Sequence, residues 1–370
     1  MGIEEKYQLD YAIHPGEYLE ELLEACNMSQ KELADRTQIS TKHINQIIKG
    51  KANVTAKTAI DLEHALDRSA KYWLDLQLNF DEFCERRELV ENLKNNLEWI
   101  RSFDYAEITN RGFVNPTRDI IQKGLNLLLF FQVASVDAWY RTWVLKANEI
   151  YCRSGAQTGT DVKDSTIARL ASWIRMGQIE ALKKVDKYPA FQPEVLKANL
   201  SRIRDISVVG DADAFTYALT ESLKIAGVLI QFVKEVCGMR TYGTSFMVRN
   251  NEVACIQLCL RGRTNDQLWF SIMHEIYHLV NRGNNKGFLI GHSKNNGEEA
   301  GADEFASEVL IPKEKYSQFV ANKVFTAQSI ITFAKNANIH ESIVIGRLQH
   351  DHLIGFNILN QLKVKYKWSD

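Results

Sequence analysis

Residues 29–50 read SQKELADRTQISTKHINQIIKG. Ser29 stands three residues ahead of Glu32, the spacing of a capping box, and Ser40 offers a second cap in front of TKHINQII. Ile44, Ile47 and Ile48 recur at helical spacing, and Gly50 supplies a stop. Two short helices joined by Thr37-Gln38-Ile39 have the dimensions of a helix-turn-helix, whose second helix enters a major groove. Just upstream, GEYLEELLEACN carries Tyr18, Leu19, Leu22 and Leu23 as one helical stripe. Residues 15–80 therefore read as a run of short, individually capped amphipathic helices.

Charge supports a nucleic-acid surface on that unit. Residues 1–80 hold nine Lys or Arg against thirteen Asp or Glu, an acidic balance overall. Between Asp35 and Asp61, however, stand five cations (Arg36, Lys42, Lys49, Lys51 and Lys57) and no carboxylate. Phosphate binding requires a local field of this kind, not a chain-wide excess.

The stretch from His14 to Gln77, with its opening HPGE, its S-Q-x-x-L-A second helix and its closing Y-W-L-x-L-Q, resembles the Xre-type helix-turn-helix of HigA-like antitoxins. The resemblance implies a five-helix DNA-binding domain over 1–80, acting as a homodimer on a double-stranded operator. Thr41, Lys42, His43 and Asn45 open the recognition helix and are the expected base readers. His43 reads equally well as a plain surface residue. Gln30 is an expected phosphate contact, and Lys49 and Lys51 complete the DNA-binding set.

The remainder is read against the whole chain of 370 residues, with 45 basic and 46 acidic side chains, 45% hydrophobic residues, 20 Gly and five Pro. That balance excludes a uniformly basic coat protein, an acidic disordered chain and a collagenous or low-complexity polymer. The longest apolar stretches, Leu125–Ala134 and Ile225–Val233, fall short of the ~20 residues a membrane helix needs. The opening MGIEEKYQLD has no apolar core, so it is not a signal peptide. Six cysteines include no CxxC pair, and Cys255 and Cys259 read as buried on one strand face. A reduced, cytoplasmic protein with no membrane partner is expected. Residues 81–207 read as a helical connecting region that carries no chemistry. Trp139, Trp143 and Trp173 are expected in cores, and the region's task is to set spacing or recognise a partner.

From Ala212 the pattern changes. A helix leads into VLIQFV, and TSFMV and VACIQLCL are two further strand candidates, the last taken as an edge strand. The expected fold is mainly α with an α+β C-terminal part over 208–370. After Thr264 or Asn265 as cap, TNDQLWFSIMHEIYHLVNRG holds His274, Glu275 and His278. The i, i+4 spacing puts two imidazoles on one helix face, where they can share one Zn²⁺. Glu275 lies beside them, placed for a water and not for the metal. A catalytic zinc needs a third protein ligand and an open position. Downstream, NNGEEAGADEFASEVLIP offers Glu298, Glu299, Asp303, Glu304 and Glu308, and Ala302 and Ala306 permit close packing on the zinc helix. Glu299 and Asp303 share one face, and pattern alone does not separate them.

HEIYHLV followed by ExxADEFASEVLIP resembles the ImmA/IrrE family of zinc metallopeptidases, whose pattern is HExxH, then ExxAN-x-FA, then LxP. The likeness extends over roughly Ser165 to Ile354. It implies a zincin-like fold with a small β-sheet, Glu299 as third ligand, and Leu310-Ile311-Pro312 as the close of the motif. Two residues depart from that pattern: Tyr277 replaces a commonly small residue and is expected to narrow the cleft, and Asp303 replaces Asn. The implied chemistry is one Zn²⁺ per chain held by His274, His278 and Glu299, with Glu275 as general base of an endopeptidase. The oxyanion donor stays open among His292, Tyr242, Arg261 and Arg263. VACIQLCL is expected to pair with an extended substrate. His340, His350 and His352 are expected at the surface. Three functions remain in view: a DNA-tethered peptidase that cleaves a repressor or another regulator in a stress, mobile-element or phage-defence response; a toxin–antitoxin component whose peptidase is held by a small antitoxin; and an autorepressing regulator without proteolysis.

Overall fold

The computed structural model describes residues 11–144, 164–239, 241–248, 252–260, 264–281 and 296–366. The chain forms two compact units, residues 1–97 and 98–370.

The first unit contains five helices: α1 (Pro15–Ala25), α2 (Gln30–Thr37), α3 (Thr41–Ile48), α4 (Ala56–Leu66) and α5 (Ala70–Asn95). HPGE is the start signal of α1. His14 Nδ1 accepts from the Gly16 N–H at 2.8 Å, and Glu17 returns to the His14 N–H, a reciprocal cap with Pro15 at the first helical position. Gly16 is required by close approach, because a Cβ there would lie 2.0 Å from the Ile47 carbonyl oxygen of α3. Ser29 caps α2 through the Glu32 N–H, but the Glu32 carboxylate turns to Arg36, so the expected capping box is only half formed. Leu19, Leu33, Ile44, Ile47, Leu62 and Trp73 are fully buried in one core. Gln77 of α5 accepts from the Val54 N–H at 2.8 Å and so ties down the loop that follows α3.

Helix α5 runs without a break through Phe80 to Asn95. Its sequence contains no Gly or Pro, so nothing ends the helix at residue 80. The fifth helix of the unit and the charged connecting helix are one element.

The second unit opens with short helices α6 (Leu97–Arg101), α7 (Tyr105–Asn110), α8 (Ile120–Phe131) and α9 (Val136–Trp139), followed by α10 (Asp164–Leu182). Trp139, Trp143 and Trp173 are buried, as expected of core aromatics. Helices α11 (Pro193–Ala198), α12 (Leu200–Asp205) and α13 (Ala212–Lys224) lead to strands β1 (Val228–Phe232), β2 (Gly243–Val248) and β3 (Val253–Leu258). The sheet order is β1-β3-β2, with β3 parallel to β1 and antiparallel to β2. VACIQLCL is therefore the central strand and not an edge. Both its sides are paired, Ile256 lying between Ile230 and Ser245, and it has no free edge for a substrate. The continuous apolar run that marked it as a strand is the signature of burial on both faces.

One sheet face packs on α10. Gln231 Nε2 donates to the Gly177 carbonyl at 2.8 Å and Gln257 Nε2 to the Trp173 carbonyl at 2.9 Å, beside Ala181, Leu229, Phe246 and Cys255. These contacts place residues 164–182 in the same unit as the sheet. Burial pushes the Cys255 thiol up, and Cys255 and Cys259 are both buried, the Cys259 Sγ donating to the Thr241 carbonyl; Cys152 lies outside the described residues. The opposite face packs on α14 (Asn265–Val280) through Ile256, Trp269, Ile272 and Met273. Helices α15 (Asn296–Leu310), α16 (Lys313–Ala321), α17 (Ala327–Ala337) and α18 (Glu341–His350) complete the unit. His340 is half-buried. Its Nδ1 accepts from the Ser342 N–H at 3.1 Å and caps α18, whereas His350 and His352 are exposed. Among the described residues no helix is long and apolar enough to cross a membrane.

Candidate functional site

Helix α14 sets its apolar side, with Ile272, Met273 and Ile276, into the core, and this leaves His274 and His278 on the face toward α15. Ala302 and Ala306 of α15 are fully buried, and their small side chains let the two helices lie close. Across that seam three groups converge. His274 Nε2 lies 3.1 Å from Glu299 Oε2, His278 Nε2 lies 3.4 Å from Glu299 Oε1, and the two Nε2 atoms are 3.2 Å apart. Among the described residues, His274, His278 and Glu299 form the group with metal-ligating geometry.

The donor set fits zinc. Two neutral imidazole nitrogens and a carboxylate are its usual ligands in catalytic sites, with a fourth position left open. A tetrahedral ion with bonds of about 2.0–2.1 Å holds neighbouring ligand atoms about 3.3 Å apart. The observed separations bracket that value. Glu275 lies on the same turn and is buried, and its Oε2 has no hydrogen-bond partner among the described residues. Glu235 Oε2 and Asp266 Oδ1 share that state, so the open oxygen gains meaning only from its place beside the two histidines.

Glu299 and Asp303, indistinguishable by spacing, separate in space. Asp303 Oδ1 meets the other ring nitrogen of His274, Nδ1, at 2.9 Å, and its side chain is exposed. Asp303 thus lies behind His274, while Glu299 lies between the two histidines. Burial acts to lower the His274 pKa, but its bonds to Asp303 and Glu299 and the nearby Glu275 charge outweigh burial and raise it to about 10. Glu308 accepts from the Lys313 N–H and Glu304 points to solvent. The Glu298 side chain and Arg261, Arg263 and His292 lie outside the described residues; Tyr242 is partly exposed beside Cys259, Gln267 and Ser271.

In the first unit, Thr41, Lys42, Lys49 and Lys51 are exposed, while His43, Asn45 and Gln30 are half-buried. Ser40 caps α3 through the His43 N–H, and Ile44 and Ile47 anchor the opposite side. Asn45 Nδ2 donates to Gln30 Oε1 at 3.4 Å, so two expected DNA contacts from different helices already meet. Sequence reading missed Gln77 as the residue that holds the loop beyond α3. Its signal, a glutamine inside an otherwise apolar helical stripe, was present.

A helix-turn-helix family model matches residues 19–73, and the N-terminal part of the chain belongs to that family. Virulence-associated protein I of Dichelobacter nodosus is 38% identical over 71 residues, 19% of this chain and 66% of that protein. The uncharacterized HTH-type transcriptional regulator YddM of Escherichia coli (strain K12) is 33% identical over 63 residues, 17% of this chain and 67% of that protein. The chain thus spans about two thirds of the length of these relatives. Among solved structures, an addiction module antidote protein of a HigA family from Coxiella burnetii is 32% identical, with 22% of this chain and 91% of that chain covered and a TM-score of 0.21.

Proposed function

We propose that the protein is a DNA-binding regulator with zinc-dependent endopeptidase activity directed at another regulatory protein. The observation that carries this reading is the convergence of His274, His278 and Glu299 beside a buried Glu275 whose Oε2 is unpartnered among the described residues. The likeness of the HEIYH and ExxADEFA segments to ImmA/IrrE peptidases supports it, as does a helix-turn-helix domain on the same chain.

Zinc, when bound by His274, His278 and Glu299, supplies Lewis acidity and brings the pKa of a water toward ~7. Glu275 takes the proton of the attacking water at Oε2 and hands it to the leaving amine nitrogen.

The test compares the parent with Glu275→Gln in cells, by mass spectrometry of newly formed protein N-termini. Gln keeps size and hydrogen bonding but accepts no proton near neutral pH. Loss of a general base costs about 10²–10⁴-fold in rate, so parent-specific cleavage products should vanish while zinc content and DNA binding persist. Identical N-termini in both strains, with zinc confirmed in both proteins, would sink the peptidase reading and leave a regulator.

A further inference from the structure

Tyr277, the residue that departs from the zinc-motif pattern, packs beside the candidate metal ligands. Its ring lies against α15, 5.5 Å from the Phe305 ring, and meets the His278 ring edge-on at 5.6 Å. Its hydroxyl stands over Gly301, where an added Cβ would come within 2.6 Å of Oη and 3.2 Å of Cζ. Gly301 lies between Glu299 and Asp303 on α15, and its neighbour Ala302, with Ala306 about one turn further on, forms the buried part of the seam. A glycine in a helix interior is unfavourable against alanine, so this position carries a cost that the helix alone does not explain.

We infer that Tyr277 and Gly301 form a steric lock that sets how α15 seats on α14, and hence where Glu299 stands relative to His274 and His278. The pair are positioning residues, and the inference rests on the metal-centre reading. The tyrosine ring fills the space over Gly301 and braces His278. A methyl group at 301 must displace either the phenol ring, which braces His278, or α15, which carries Glu299. The lock also accounts for the departure at Tyr277: a larger residue in α14 is matched by the smallest one in α15.

The test is a double-mutant cycle of Gly301→Ala and Tyr277→Phe in the full chain, read by zinc affinity in competition with a chromophoric chelator and by melting temperature without metal. Phe removes the oxygen that the added methyl would strike. Gly301→Ala alone should weaken zinc binding about 10–100-fold, the usual effect of disturbing groups that orient metal ligands. It should also lower the melting temperature, against the helix preference of alanine. Gly301→Ala with Tyr277→Phe should return zinc affinity to within about threefold of Tyr277→Phe alone, with a higher melting temperature, as the cycle requires of a direct contact. Equal zinc affinity in the parent and Gly301→Ala, or failure of Tyr277→Phe to rescue, would overturn the lock while leaving the metal centre standing. A parent that bound no zinc would instead overturn the reading on which the lock rests.

Discussion

His274 shows how one side chain answers to three neighbours. Glu299 and His278 approach its Nε2, and Asp303 approaches Nδ1. A carboxylate on the far nitrogen fixes ring orientation and raises the basicity of the ligating atom. Without metal the same contacts hold a proton on the ring, with the pKa raised from 6.5 to about 10. The stabilisation they give metal-free protein is complete below pH 6.5 and fades as pH rises through about 10. Zinc must displace that proton, so affinity should fall as the solution is acidified and binding near pH 7.5 should release protons, that of His274 among them. Indicator-dye titration in weak buffer checks this, and zinc uptake without proton release would contradict it.

At the scale of elements, α3 is set by its neighbours as much as by its own stripe. Ile44 and Ile47 bury one face, Gly16 brings α1 against its C-terminal carbonyls, and Gln77 holds the loop beyond it. Its outer face, with Thr41 and Lys42 exposed, is free to meet a duplex. Lys42→Ala combined with Asn45→Ala should lower specific operator binding at least tenfold, since each lost base contact costs roughly 1–3 kcal/mol. Fluorescence anisotropy at fixed salt measures this. Undiminished binding would remove α3 from the reading role. The sheet teaches the converse lesson: the composition of VACIQLCL announced a strand, but only its partners Ile230 and Ser245 made it central.

Across the whole second unit, the chain returns to the start of α14 from nearly a hundred residues away. Lys363 Nζ lies 2.6 Å from Asp266 Oδ2 and also donates to Gln349 Oε1, and both members of the ion pair are about nine-tenths buried. The Asn265 N–H donates to the Val364 carbonyl at 2.9 Å beside it. Removing one partner of a buried pair strands the other charge, so Lys363→Ala should cost about 3–5 kcal/mol in urea unfolding, whereas replacing both partners by apolar groups should cost far less. A loss below about 1 kcal/mol for Lys363→Ala would show the pair to be dispensable.

The sequence by itself determined what is local. Caps and stripes placed the helix-turn-helix, the i, i+4 histidines lay on one helix face, and the tryptophans were core by their apolar surroundings, because each of these depends on neighbours within a few residues. Spacing left open which carboxylate enters between His274 and His278, and only the family resemblance favoured Glu299; the tertiary structure decided that placement in space, the packing of Tyr277, and which strand lies in the middle. Glu299 and Asp303 are one helical turn apart on the same face, so spacing treats them alike. The crossing of α14 and α15, fixed by Ala302, Ala306 and Gly301, puts one carboxylate between the two imidazole rings and the other behind His274.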